Sequence, residues 1–395
     1  MPSIQNRPEA AQAALSPASE PAVSDPYLLT PGPLTTSLRT KQAMLRDWGS
    51  WDLEFNNITA EIRRRLLAIA HADDGYDCVP MQGSGTFSVE AALSSFIPRD
   101  GKALVLMNGA YGKRAAKTLE YLERDYVALD KGDYLPPLPD EVDKLLTADQ
   151  KITDVVLVHC ETSSGILNPL KDISDVVRRH GRRLIVDAMS SFGAVPLEVA
   201  EVPFEVMVSS ANKCIEGVPG FGFIIAKSTA LEAAKGRSHS LSLDVHDQWS
   251  AMNKTGQWRF TPPTHTVVAF HEALLQHEEE GGVPGRLARY SRNRDVLVAG
   301  MREIEFETLL DDEWLSPIIT TFLSPVDPNF EFKRFYDEIK SRGFIIYPGK
   351  LTEVDSFRVG CIGQLDEKVM RGVVEAIAQS LRAMGVTSPK PASVK

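Results

Sequence analysis

The sequence predicts an α/β fold, a mostly parallel sheet covered by helices, followed by a smaller α+β unit. Three observations carry that expectation. Between residues 78 and about 230, short apolar runs alternate with segments of helical period, the order that a parallel sheet with crossover helices requires. From about residue 300 the order changes to β, β, helix, β, β, helix. The length of 395 residues also exceeds what one ordinary hydrophobic core organises, so two domains fit better than one. Hydrophobic residues make up 43% and charged residues 24%, too apolar for a largely disordered chain.

Along the chain, residues 1–26 are rich in Ala, Pro, Ser and Glu and have neither a basic start nor a continuous apolar core. They read as a flexible tail rather than a signal peptide. An arm over residues 27–50 leads into a large domain, 51–280. Its first strand, Cys78–Gln82, reaches a Gly-Ser-Gly turn before a helix over Thr86–Ile97. Strand Lys102–Asn108 and helix Tyr111–Leu122 follow, then strand Asp125–Asp130 and helix Pro139–Asp149. Asp154–Glu161 is almost continuously apolar, as a strand buried on both faces should be. The helix Pro169–His180 is entered by Asn168-Pro169 and closed by Gly181. Strands Arg183–Asp187, Val206–Ser210 and Phe221–Ala226 complete the α/β pattern. Loop and long helix occupy residues 236–300.

The domain boundary falls near 275–300, at the acidic stretch His277–Gly282, which reads as a solvated helix end. The smaller domain, 281–385, then comprises strands Glu305–Leu310 and Pro317–Leu323, helix Phe330–Arg342, strands Phe344–Tyr347 and Ser356–Cys361, and helix Asp366–Met384. Residues 386–395 read as a second flexible tail.

The formal charge of −10 repels phosphate backbones and anionic membranes, and no run of Lys and Arg offsets it locally. No nucleic-acid or membrane partner is therefore expected. No apolar stretch approaches the ~18 residues that a membrane span needs. Four scattered cysteines without CxxC spacing exclude a zinc ribbon and a disulfide scaffold, and the eight histidines show no metal-binding spacing. A cytoplasmic protein with free thiols is expected.

Several residues could carry chemistry. Ser84, Gly85 and Thr86 open a helix, where outward-pointing N–H groups and the helix dipole favour one phosphate. The competing readings are a plain tight turn, or a dinucleotide fingerprint, which lacks its third glycine here. Asp187 ends an apolar strand at the edge where open α/β sheets bind ligands, though it could equally cap a turn. Lys213 lies just past the next strand. An amine, a carboxylate and a phosphate cradle are together what pyridoxal phosphate requires: a partner for its aldehyde, a partner for its pyridine nitrogen and an anion site. Tyr111, at another strand-to-helix turn, could stack on a planar cofactor or pack beneath its helix. Arg358 lies inside an apolar strand and suits a carboxylate or phosphonate, with a structural salt bridge as the alternative. His159, Trp48, Trp51 and Phe55 read as packing or cleft-lining residues, and Cys361, within a strand, is not expected to be a nucleophile.

These residues resemble the class V, fold-type I pyridoxal-phosphate aminotransferases. The segments that carry the resemblance are LLTPGPL (28–34), RDWGSWDLEF (46–55), MQGSGTFSVEA (81–91), NGAYGKR (108–114), ETSSGILNPL (161–170), VDAMSSFG (186–193), SSANKCIEGVPGFGF (209–223), FTPPTH (260–265) and FRVGCIG (357–363). Together they reach from about Leu28 to Leu381. The segments at 46–55, 82–91 and 209–223 look specific to the branch that acts on 2-aminoethylphosphonate with pyruvate as acceptor.

The resemblance implies a large domain with a mostly parallel seven-stranded sheet, a smaller C-terminal domain, and an N-terminal arm lining the active site. It implies pyridoxal 5'-phosphate on Lys213, which would also move the substrate proton. It places Asp187 at the pyridine nitrogen, Tyr111 on the ring and Thr162 at the phenolic oxygen. The phosphate would rest on Ser84, Gly85 and Thr86, with Asn212 nearby. Thr261 would reach the phosphate in the neighbouring subunit, which makes the homodimer part of the site, and Arg358 would bind the substrate's acid group. The nearest alternative is an alanine– or serine–glyoxylate aminotransferase of the same family. A silent cofactor carrier fits less well because Lys213 is present, and a cysteine desulfurase because no Cys lies between Ser316 and Gly349.

Overall fold

The computed structural model describes residues 25–391 apart from 73, 352 and 353. The tail expected over residues 1–26 thus lies almost wholly outside the described residues. Seven strands form the central sheet: β1 (Tyr76–Gln82), β2 (Lys102–Met107), β3 (Asp125–Asp130), β4 (Ile152–Val158), β5 (Arg183–Asp187), β6 (Val206–Ser210) and β7 (Phe221–Lys227). Their spatial order is β1-β7-β6-β5-β4-β2-β3. Only β7 runs against its neighbours, β1 and β6; every other pairing is parallel.

The apolar content of the inner strands follows from burial on both faces, whereas β3 lies at the sheet edge with no buried residue. Leu104, Leu106, Leu157, Leu184 and Val186 point into one core, which they share with Phe55, Phe223 and Phe270. Their sequence neighbours Ala103, Val105, Val156 and Ile185 point into a second core with Ala92, Phe96 and Leu119. A third core belongs to the C-terminal part, where Phe306, Phe322, Phe335 and Phe357 pack with Met301, Met370 and Ile377. It lies over a three-stranded sheet, β8 (Ile319–Leu323), β9 (Tyr347–Pro348) and β10 (Ser356–Gly360), in the order β8-β10-β9. Two long helices, Gly282–Glu303 and Glu367–Met384, complete it.

Several expected elements differ. Glu305–Leu310 is not a strand: Glu305 takes a positive φ of 65° after the long helix, and a single bridge, Thr308 to Phe322, joins the segment to β8. Phe344–Tyr347 divides, because Phe344–Ile345 pairs with Tyr27–Leu28 whereas Tyr347–Pro348 pairs with β10. The arm is consequently built into the C-terminal part, with Leu29 inside its core. The long apolar run 154–161 leaves the sheet after Val158, where Cys160–Glu161 forms a hairpin with Ile166–Leu167. Residues 387–391, expected as free tail, run along the loop at 325–327, where Asp327 accepts hydrogen bonds from the Thr387 amide (2.8 Å) and hydroxyl (2.9 Å). Trp51, expected to pack, is 80% exposed, whereas Phe55 is fully buried.

The acidic stretch at 277–282 ends a helix as expected, yet it is not simply solvated. Glu280 accepts from Arg286 Nε and Arg289 Nε, each at 2.7 Å. Arg286 is buried and also meets the Cys214 carbonyl, while Arg289 Nη2 and the Tyr290 hydroxyl reach Glu216 at 2.8 and 2.6 Å. This ionic cluster fastens the helix Gly282–Glu303 to the loop that follows Lys213. Burial would raise the Glu280 carboxyl, but the two guanidiniums outweigh it and hold it at about 2. A depressed carboxylate stabilises the fold above its unfolded value near 4.5, and that contribution fades as pH falls toward 2. Glu280→Gln leaves the buried Arg286 short of a charged partner. It should destabilise the protein by about 3 kcal/mol, read as a lower Tm at pH 7 and a gap from wild type that narrows on acidification.

Candidate active site

The segments that carry Ser84, Tyr111, Thr162, Asp187 and Lys213 follow the carboxyl ends of strands of the central sheet, whereas Arg358 lies within β10 and Thr261 in a loop between helices. β1 ends at Gln82, and Gly83 then turns with φ 102° into the helix Gly85–Phe96. A Cβ on Gly83 would strike the Phe87 ring, and one on Gly85 would overlap the Met189 side chain, so both glycines are sterically required. Ser84 is the N-cap residue, with extended backbone and a hydroxyl that makes no capping bond. The amides of the first turn thus open into a cavity of about 240 Å3 beside an uncommitted hydroxyl. Thr86 accepts from Arg114 Nη1 at 3.2 Å.

The same cavity is lined by Tyr111, Asp187, Asn212 and Lys213 together with Ser84, Gly85 and Thr86. Seven of the residues singled out in the sequence therefore converge. Lys213 donates from Nζ to the Pro31 carbonyl at 2.6 Å, and a Cβ on Gly32 would collide with the lysine side chain and the Asn212 carbonyl. Enclosure in the cleft pulls the Lys213 amine down to about 8. Burial lifts Asp187 to about 6, against the Met189 amide that donates to its Oδ1 at 2.9 Å. His159, whose amide donates to the Asp187 carbonyl, is buried with Nδ1 unpartnered, and burial takes its ring down to about 4.

Three expected residues stand apart from the cavity. Thr162 lies beside it, its hydroxyl buried and without a partner and its carbonyl accepting from Arg358 Nη1 at 2.7 Å. Arg358 is buried, with Nε on the Pro348 carbonyl at 3.0 Å. Among the described residues it forms no carboxylate salt bridge, and its guanidinium donates to carbonyls instead. Thr261 is exposed, held near the end of β1 where Gln82 Nε2 donates to the Phe260 and Thr261 carbonyls at 3.0 and 3.4 Å.

Sequence reasoning missed Glu161 and Ser163. Glu161 is fully buried and accepts from the amides of Tyr111 (2.9 Å) and Gly112 (3.2 Å), while Ser163 Oγ accepts from the Ala110 amide at 3.1 Å. The hairpin after β4 thereby caps the helix Ala110–Tyr121 and fixes Tyr111 in its first turn. Burial raises the Glu161 carboxyl, opposed by those hydrogen bonds. The available signal was an acid at the end of an otherwise apolar run.

These groups fit pyridoxal phosphate. The helix N-terminus offers amides to a phosphate, and the buried, unpartnered hydroxyls of Ser210 and Thr162 await acceptors or donors. Lys213 supplies an amine and Asp187 an acid. A volume of about 240 Å3 suits one small ring compound.

A lysine amine and a carboxylate meeting beside a helix N-terminus, at the carboxyl edge of a mostly parallel sheet, define a fold-type I pyridoxal-phosphate enzyme. The chain belongs to the class V aminotransferases, whose family profile matches residues 37–338. It is 69% identical over 370 residues to a 2-aminoethylphosphonate–pyruvate transaminase of Rhizobium meliloti strain 1021, covering 93% of this chain and 97% of that one. A relative of the same description from Paraburkholderia xenovorans strain LB400 is 64% identical and covers 94% of this chain and 96% of its own length. The crystal structure of an alanine–glyoxylate aminotransferase from Nostoc sp. shares the fold, with a TM-score of 0.84 at 23% identity, over 93% of this chain and 97% of that one. Pyridoxal phosphate is accordingly the cofactor.

Because only the neutral amine attacks an aldehyde, cofactor uptake by the apoenzyme should accelerate as pH rises through about 8. Stopped-flow absorbance during reconstitution reads this directly; a Lys213→Ala variant should bind the cofactor without the Schiff-base band.

Proposed function

We propose that this enzyme transfers the amino group of 2-aminoethylphosphonate to pyruvate, yielding phosphonoacetaldehyde and L-alanine. The observation that carries the reading is the convergence of Lys213, Asp187 and the Ser84–Thr86 turn on one cavity, in a chain 69% and 64% identical to transaminases so described. When bound, the cofactor supplies an electron sink that allows the C–H bond beside the substrate nitrogen to ionise.

In this reading Lys213 would hold the cofactor through its amine and would move the substrate proton as a general base. Its lowered basicity suits that work near neutral pH. Asp187 keeps the pyridine nitrogen protonated, and Tyr111 covers the ring. Ser84, Gly85 and Thr86, with Asn212, hold the phosphate, and Thr162 donates its free hydroxyl to the phenolic oxygen. Arg358 receives the acid group of either substrate. Its lack of a salt-bridge partner among the described residues supports that role, since the two half-reactions share one pocket.

The active unit in this reading is a homodimer. Leu38, Leu45, Trp51 and Leu53 expose large apolar side chains, as do Phe87 and Phe260, which flank the cradle and Thr261. A partner covering that surface would bring its Thr261 toward the phosphate. The two-domain division, 51–280 and 281–385, is supported by the separate cores, with the arm belonging to both. Four buried free thiols fit the cytoplasm, and among the described residues no helix is long and apolar enough to cross a membrane.

Absorbance spectroscopy tests the function. Addition of 2-aminoethylphosphonate alone should convert the visible band of the enzyme to the near-ultraviolet pyridoxamine band, and pyruvate should restore it. A response only to alanine or serine, with glyoxylate as acceptor, would replace the phosphonate reading by the glyoxylate one. Arg358→Ala should lower kcat/KM for both substrates at least about tenfold, the loss expected from one charge-assisted contact.

A further inference from the structure

We propose that Lys350 is the second cation for the substrate's phosphonate, acting beside Arg358 and setting the preference for a phosphonate over a carboxylate donor. The inference rests on the transamination reading above. A phosphonate presents three oxygens and, like a phosphate monoester, close to two negative charges near neutral pH, whereas a carboxylate presents two oxygens and one charge. Arg358 alone suits the second better than the first. Its Nε and one terminal nitrogen already donate to the Pro348 and Thr162 carbonyls, at 3.0 and 2.7 Å, so it lacks a free bidentate fork.

The protein places another cation close by. β9 pairs Tyr347 opposite Arg358 in β10, and Lys350 follows Pro348 by two residues, so the element that holds the arginine also delivers the lysine. The Lys350 ammonium lies 4.6 Å from the centre of the Tyr111 ring, and Tyr111 lines the cofactor cavity. An aromatic face steadies a cation without cancelling its charge. Among the described residues no carboxylate forms a salt bridge with Lys350, Arg358 or Arg114. Partial desolvation first, and then the guanidiniums of Arg114 and Arg358, lower the basicity of Lys350 and outweigh the opposing influence of the Glu161 carboxylate. Arg114 also lies over Tyr111, at 4.9 Å, but its Nη1 is engaged with Thr86 in the phosphate turn. It therefore serves the cofactor end, which leaves Lys350 for the substrate.

Lys350 is exposed, so Lys350→Ala should fold and hold the cofactor normally, with an unchanged visible band and Tm. In single half-reactions the variant should need about tenfold more 2-aminoethylphosphonate for half-maximal rate, the scale of one charge-assisted hydrogen bond, while its response to L-alanine changes less than about twofold. Lys350→Arg should restore most of the phosphonate affinity. Equal losses with both donors, or no loss with the phosphonate, would overturn the assignment while wild-type turnover of the phosphonate keeps the functional reading intact. A wild-type enzyme inert toward 2-aminoethylphosphonate would overturn both.

Discussion

The contact between the Lys213 ammonium and the Pro31 carbonyl, 2.6 Å, is the constraint on which the rest of the site depends. It brings together three parts of the chain that are distant in sequence. The lysine leaves the end of β6 in the central sheet, the carbonyl belongs to the arm, and the arm is anchored by Tyr27–Leu28 in the C-terminal part. Gly32 is indispensable here, because any side chain would occupy the space of the lysine itself. A lysine confined in this way loses the hydration that stabilises its charged form. The same confinement that orients the amine also lowers its basicity.

Electrostatics then separate the site from the surface. The protein carries a formal charge of −10, yet the cavity and its margin collect a helix N-terminus, Arg114, Lys350 and Arg358. Two buried acids, Asp187 and Glu161, have different tasks set by their partners. Glu161 is engaged by the backbone amides of a helix and holds Tyr111 in place. Asp187 lines the cavity, where the Met189 amide donates to its Oδ1 and burial outweighs the nearby charges of Lys213 and Arg114. Of two carboxylates in one neighbourhood, one is thus a structural clamp and the other is left facing the cavity, a division that burial and hydrogen bonding decide.

Rigidity comes from both ends of the lysine's surroundings. The arm presses from one side, and the cluster of Glu216, Glu280, Arg286, Arg289 and Tyr290 secures the loop beyond Cys214. A buried ionic network of this kind contributes modestly to net stability but penalises alternative packings, because each charge has a counterpart only in the native arrangement. The loop between Lys213 and the long helix is therefore held in place from both sides.

By itself the sequence determined the central sheet and most of the site. Strands Arg183–Asp187 and Val206–Ser210 end where their apolar runs end, because a strand buried on both faces must be apolar throughout, and the edge strand Asp125–Asp130 ends as expected too. Ser84, Asp187 and Lys213 were legible for a related reason: each polar residue interrupts or terminates such a run at the edge where ligands bind. What only the tertiary structure decided are the features that depend on a distant partner. The division of Phe344–Tyr347 depends on Tyr27, and the break after Val158 on the helix that Glu161 caps. The ion pairing of Glu280 depends on two arginines of the next helix, and Lys350 comes to Tyr111 through the pairing of β9 with β10. Periodicity and turn chemistry record what a residue's neighbours in the chain require of it. Charge pairs, caps and edge pairings are made between segments, and they exist only once the segments have met.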